Sequence, residues 1–327
     1  LYILYEFRQK DGRTAGIYYN IKKEEFCMSY VLALCLALCW GTAFLATKNF
    51  VEVLPPYWGT FFRVLAGLLF FIVLYGIQRK NLKCPVKQLW RPWTIGFLLI
   101  LLPFAAISWG QRFVAPTIGG IFNGTVPIWS FIAGALLLKG EDRFTWRRAI
   151  GVTIGMLGLL VIMRPMIAAA QLDASPLALY GCAAFLIMAW SYSLGNVLTK
   201  KIMVDSNAMT MEANTFHQYL FAAIVLLILA FCAEPVPPVA AFTPKVVLSI
   251  ISAGVFSSAV AFLLMVALIK RWGATRMASV TYFTPVVAMA SDMIAFGRMP
   301  SGAEIGGLCL IFVSLILIQK KVEAETK

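Results

Sequence analysis

Charge is scarce in this chain. Asp, Glu, Lys and Arg together make up 13% of its 327 residues, about half the ~25% of a typical soluble domain. Hydrophobic residues make up 61%. A soluble fold could not cover that much apolar surface with so few polar side chains, so composition places the chain in a membrane. Histidine is limited to His217. The seven cysteines (27, 35, 39, 84, 182, 232 and 309) lie mostly inside apolar runs and show no CxxC pairing. They read as small buried hydrophobes, not as disulfides or metal ligands. No HExxH spacing occurs, and no GxxxxGK[ST] loop, so neither a metal site nor an ATPase motor is expected. No cofactor is expected either. Any driving force would then come from solute or ion gradients. An intramembrane lipid- or metabolite-modifying enzyme would need clustered carboxylates or histidines, which are missing. A channel would need polar stripes along several helices, and polarity here is concentrated at a few points.

A spanning helix needs about 20 mostly apolar residues. Ten such runs occur, at about 29–48, 57–77, 92–110, 115–138, 147–164, 176–198, 212–232, 245–268, 274–296 and 302–319. The expected fold is therefore an all-α membrane protein. The net charge of +13 falls in short groups between the runs, a pattern that points to anionic lipid and not to nucleic acid. Of the 28 Lys and Arg, 22 lie on the side that holds both ends of the chain. Only Lys48, Arg112, Arg164, Lys245 and Arg298 lie on the other, and Arg63 is inside the second run. This asymmetry predicts that the N- and C-termini are both cytoplasmic.

Two apolar runs carry a proline deep inside, Pro127 in the fourth and Pro285 in the ninth. Five spans per half would invert the second half relative to the first. Both prolines would then lie near the bilayer midplane on antiparallel helices. Proline removes one backbone hydrogen bond and displaces the carbonyl four residues back, here those of Asn123 and Thr281. Lipid cannot satisfy a freed carbonyl, so each kink should face protein or water. Thr125 and Thr284 stand beside the kinks. Paired interrupted helices in the two halves of a membrane chain point to a secondary transporter with its site between them.

From about residue 30 to 319 the chain resembles the drug/metabolite transporter superfamily, specifically its EamA-type ten-helix members. The first half carries Trp40-Gly41, Phe44, Lys48, Pro55-Pro56, Phe62-Arg63-Val64-Leu65-Ala66, Ala115-Pro116, Gly120-Ile121-Phe122-Asn123, Pro127, Gly140-Glu141, Trp146, Gly151, Gly155 and Gly158. The second carries Trp190, Gly254, Ser257-Ser258-Ala259-Val260-Ala261-Phe262, Ala267, Gly273-Ala274 and Thr284-Pro285-Val286. One departure is that Gly297-Arg298 stands where the family pattern has a second Gly-Glu. The resemblance implies two inverted five-helix repeats, at 29–164 and 176–319, joined by a linker at 165–175. It also implies a carrier of the bacterial inner membrane, moving a small amino-acid-like metabolite, with export favoured. Its cavity would lie among helices 1–4 and 6–9. Residues 1–28 read as a cytoplasmic tail or an upstream extension, and 320–327 as a cytoplasmic tail.

Candidate cavity residues are Trp40, Asn123, Thr125, Pro127, Trp190, Thr281, Tyr282, Thr284 and Pro285. Trp40 and Trp190 fall mid-span in the first helix of each half. Charged groups inside a membrane are costly and mark function. Lys48, Arg63 and Asp292 are therefore the candidates for an outer gate, for a charge pair, or for an anchor of the solute's carboxylate. Expected partners are the solute and membrane lipid. Protons are the candidate coupling ion, with Asp292 and His217 as the groups to examine. The Gly151/Gly155 spacing is compatible with a homodimer and equally with packing inside the chain.

Overall fold

The computed structural model of the chain describes residues 28–114, 116–138, 144–169, 176–204, 209–284, 287 and 301–319. Those residues are helical apart from short connections, with no strand among them. Among the described residues, eight helices are long and apolar enough to cross a membrane. They are α1 (Met28–Val51), α2 (Pro56–Ile77), α3 (Val86–Gly110), α4 (Ile118–Leu137), α5 (Trp146–Arg164), α6 (Leu177–Ile202), α7 (Met211–Ala233) and α8 (Pro244–Trp272). A ninth segment, α9, begins as Ala274–Ala278 and tightens into a 3₁₀ stretch at Ser279–Phe283. The last helix, α10, is Gly302–Gln319. Pro285 and Asp292 lie outside the described residues.

Proline and threonine set the helix starts. Pro56 and Pro244 occupy the first turn of α2 and α8, where a missing N–H costs nothing and the fixed φ suits the helix. Thr210 and Thr243 cap α7 and α8, their hydroxyls accepting from Ala213 N at 3.2 Å and Val246 N at 3.4 Å. The cap of α2 comes from another helix. Glu234, just past the end of α7, accepts from the backbone N–H of Tyr57 at 2.9 Å and of Trp58 at 3.2 Å. A carboxylate at that position also complements the positive end of the helix.

Three boundaries differ from the hydropathy reading. Helix α3 starts at Val86, not near 92, because Val86–Gln88 forms a 3₁₀ turn that leads into it. Pro92 then falls within its first α-helical turn, where proline is tolerated. Helices α6 and α8 run on to Ile202 and Trp272, carrying Lys200, Lys201, Lys270 and Arg271, whose long stems can reach the interface.

The main core draws on every helix from α1 to α9 except α5. A separate cluster joins α5 and α10 with Phe131 and Tyr282. Gly151, Gly155 and Gly158 all meet α10 or Tyr282 at contact distance. A Cβ on Gly158 would lie 2.7 Å from the carbonyl of Gly307, and one on Gly307 would lie 2.8 Å from that of Gly158. The small-residue stripe therefore packs two helices of one chain. Large apolar side chains such as Leu45, Ile77, Leu136 and Ile316 point outward, as a lipid-facing surface requires. The described cysteines follow the same logic. Cys35, Cys232 and Cys309 are exposed and Cys39, Cys84 and Cys182 half-buried, so they are not the buried hydrophobes that sequence suggested. In a bilayer, an outward small apolar side chain costs nothing.

Candidate functional site: a cavity around Arg63

Helix α4 is interrupted as its proline predicts. Its two α-helical parts are Pro116–Asn123 and Val126–Leu137, with Gly124 and Thr125 between them. The Thr125 hydroxyl donates to the Phe122 carbonyl at 2.7 Å and accepts from Trp129 Nε1 at 3.2 Å. In α9 the Thr284 hydroxyl donates to the Thr281 carbonyl at 2.8 Å, and Thr281 donates to Ala278 O at 2.9 Å. At the break in α4 and in the described part of α9, threonine hydroxyls thus engage carbonyls of the preceding turn.

Helix α6 ends in a π-helical stretch at Thr199–Val204, and two further helices are distorted in mid-span. Helix α3 contains a π-helical stretch at Phe97–Leu101 and α8 one at Ser252–Val260. Such wide turns recur at functional sites because they shift side chains relative to the regular helix. Both of these mid-span stretches border one cavity, with about 70 Å³ of free volume. Leu99 and Ile100 line it from α3, and Ser257 and Ser258 from α8.

The cavity wall is aromatic and weakly polar. Trp40, Phe44 and Thr47 come from α1, Arg63 from α2, Phe104 from α3 and Asn123 from α4. Tyr192 and Asn196 come from α6, Tyr219 from α7, Phe262 and Met265 from α8, and Thr281 from α9. Arg63 is the single charged side chain among the described lining residues. It is 2% exposed. Its Nε donates to Ser258 Oγ at 3.0 Å and its Nη1 to Thr47 Oγ1 at 3.2 Å. The guanidinium carbon lies 3.8 Å from the centre of the Phe104 ring, a cation–π contact. Both hydroxyls are oriented from behind. Thr47 donates to Ala43 O at 2.8 Å, and Ser258 donates to Ala253 O at 2.7 Å, five residues back in the π-helical stretch. A guanidinium has five N–H donors, and three of them have no hydrogen bond to a described residue.

A glycine sets this geometry. A Cβ on Gly254 would strike the Arg63 carbonyl and lie 2.8 Å from Ala66 Cβ. Only glycine lets α8 press against α2 here, and that approach brings Ser258 within reach of Arg63. A second contact of the same kind lies between α3 and α7. A Cβ on Gly96 would lie 2.9 Å from the Gln218 carbonyl and 3.2 Å from Gln218 Cβ.

Of the residues singled out from sequence, Trp40, Arg63, Asn123 and Thr281 line the cavity. Thr125, Pro127 and Thr284 shape the breaks beside it but are not on its wall. Tyr282 points the other way, its hydroxyl donating to Val152 O of α5 at 3.0 Å. Trp190 is 49% exposed and off the wall. Its helix explains this, because Tyr192 and Asn196 face the cavity and Trp190 is two residues, about 200°, around from Tyr192. Lys48 pairs with Glu52 at 3.5 Å and donates to Gln111 O at 3.4 Å; Asp292, the carboxylate expected to pair with Lys48 or Arg63, lies outside the described residues. His217 contacts Leu82 O at 3.0 Å through Nε2, tying α7 to the loop before α3 and away from the cavity wall. The residues that sequence reasoning passed over are Thr47, Phe104, Tyr192, Asn196 and Tyr219. The Tyr192/Asn196 pair, one turn apart in an apolar helix, was the available signal.

Buried amides complete the polar inventory. Asn196 Oδ1 has no hydrogen-bond partner among the described residues, and neither has any side-chain N or O of Asn214 and Gln218. Leaving such a group unbonded costs about 1–3 kcal/mol.

The model of the EamA-like transporter family matches residues 28–164 and 179–319. The uncharacterized transporter YoaV of Bacillus subtilis is 26% identical over 255 residues, covering 78% of this chain and 84% of that protein. A probable amino-acid metabolite efflux pump of Salmonella typhimurium is 24% identical, covering 88% and 93%. An S-adenosylmethionine uptake transporter of Rickettsia prowazekii is 24% identical, covering 86% and 91%. A crystal structure of a protein 19% identical superposes with a TM-score of 0.70 over 89% of this chain and 97% of that one, a likeness of fold.

Proposed function

Because the chain belongs to the EamA-like transporter family, a multi-pass membrane transporter and not an enzyme, we propose that it is a secondary carrier for a small amino-acid-like solute. The carrying observation is Arg63, the one charged group on the described cavity wall, with two of its donors engaged by Thr47 and Ser258. A fixed guanidinium with free donors matches a carboxylate bidentately. The surrounding Trp40, Phe44, Phe104, Tyr192, Tyr219 and Phe262 suit an apolar or aromatic side chain and a nearby ammonium group.

In this reading, ten spans form two inverted five-helix repeats, both termini are cytoplasmic, and the protein works in the bacterial inner membrane. The 22 inner-side Lys and Arg support that orientation. Paired distortions support the repeat, since α3 and α8 each carry a π-helical stretch and α4 and α9 each change helical character beside the cavity. Solute would cross by alternating access as the two halves move around the cavity. Export is the proposed direction, in keeping with the relative named as an efflux pump. The test is counterflow of tritiated L-amino acids in proteoliposomes. Saturable, trans-stimulated exchange is expected. Pore-like conductance without saturation, or no exchange of any of them, would reject the carrier reading.

A further inference from the structure

Arg63 is the eighth residue of α2, which starts at Pro56, and Gln218 is the eighth residue of α7, which starts at Met211. The parallel extends to their surroundings. The backbone of Arg63 is pressed by Gly254, inside the π-helical stretch of α8. The backbone of Gln218 is pressed by Gly96, immediately before the π-helical stretch of α3. Each stretch sends two residues onto the cavity wall, and Tyr219, next to Gln218, is on that wall too. Thus α7 meets α3 as α2 meets α8, with the second helix of each half set against the third helix of the other.

The two positions differ in how their side chains are satisfied. Arg63 is held by Thr47 and Ser258. Gln218 and Asn214, one turn apart on α7, are both 0% exposed. All four of their side-chain polar atoms lack a partner among the described residues. These two adjacent amides stand at the position on α7 that corresponds to Arg63 on α2, beside Tyr219 of the cavity wall but off the wall itself.

We infer that Asn214 and Gln218 form a second, uncharged solute subsite on the cytoplasmic side of the cavity, the counterpart of Arg63 on the outer side. This rests on the carrier reading and its inverted halves. Gln218 lies about 10 Å into α7 from its first residue, so it would meet solute when the cavity opens inward. Amides both donate and accept. The subsite can therefore take a carboxylate or an ammonium group, releasing the solute from the fixed charge of Arg63 without a competing charge.

The experiment compares wild type with Asn214→Leu and Gln218→Leu. Uptake of tritiated L-phenylalanine, a probe suited to the aromatic wall, is measured in inside-out and right-side-out vesicles, and melting is followed by thermal size-exclusion. The expected result is a roughly tenfold weaker half-saturation from the cytoplasmic side, from loss of one hydrogen bond, with the outer side unchanged. Melting should hold or rise, because leucine leaves no unbonded amide. Unchanged transport on both faces overturns the proposal. So does a fall in melting that accompanies the transport loss, because that marks a structural role. Gln218→Cys in a cysteine-free background is labelled in parallel with a membrane-impermeant maleimide. If wild type transports nothing, the carrier reading fails by itself and labelling decides the subsite. Reaction from the cytoplasmic face alone supports it, and no reaction overturns it.

Discussion

Replacing Arg63 by glutamine removes the only charge on the described cavity wall. The partners left behind are not stranded. Thr47 and Ser258 already donate their hydroxyl protons to Ala43 O at 2.8 Å and Ala253 O at 2.7 Å, so both keep a hydrogen bond without the guanidinium. The substitution also takes away the cost of a cation that is 2% exposed. The variant should therefore fold and melt near wild type. Solute binding should not survive so well. A hydrogen bond to a charged group contributes about 1.5–3 kcal/mol, and a bidentate pair counted without full additivity about 3 kcal/mol. At 1.36 kcal/mol per decade, half-saturation for a carboxylate-bearing solute should weaken about 100-fold. Arg63→Lys keeps the charge as a single point and should lose about tenfold. The assay is counterflow of tritiated L-phenylalanine with protein quantity matched by size-exclusion. An Arg63→Gln protein of normal melting, with half-saturation within threefold of wild type, would refute the anchoring argument. The solute's charge would then be met elsewhere.

Four further outcomes follow from the geometry. Gly254→Ala places a methyl against the Arg63 carbonyl, a backbone atom that cannot swing away, so it should cost roughly 1–3 kcal/mol and lower melting and transport together. Gly158→Ala should lower melting similarly by forcing α5 off Gly307, while half-saturation of the surviving protein stays unchanged, because α5 does not line the cavity. Glu234→Ala removes the acceptor for Tyr57 N and Trp58 N and should cost about 1 kcal/mol, read as a drop in melting that Gln at the same site partly restores. A green fluorescent protein fused after Lys327 should fluoresce in cells, as a cytoplasmic C-terminus requires; a dark fusion with normal expression would overturn the orientation drawn from the 22 inner-side cations.

Hydropathy located all eight described spanning helices to within a few residues, apart from the early start of α3 at Val86 and the late ends of α6 and α8. The proline in α4 marked a true interruption at Gly124 and Thr125. Arg63 was legible as the lone charge in an apolar run. Trp190 was misplaced because its mid-span position was read and its face was not; Tyr192 and Asn196 on the same helix mark the inward face, and Trp190 lies on the other side. Tyr282 failed for the same reason, its ring turning to α5 although its neighbour Thr281 faces the cavity.

What the sequence alone determined was the membrane class, the eight described spans and the site of the break in α4. Each of these depends on residues close together in the chain and on the free energy of moving them out of water. The tertiary structure decided everything that depends on two distant segments meeting. Arg63 reaches Thr47, 16 positions away, and Ser258, 195 positions away. Those contacts exist because Gly254 lets two backbones touch and a π-helical stretch turns a serine toward them. No local property of the chain records that approach. It arises from close packing between helices, where the absence of one methyl group sets the distance.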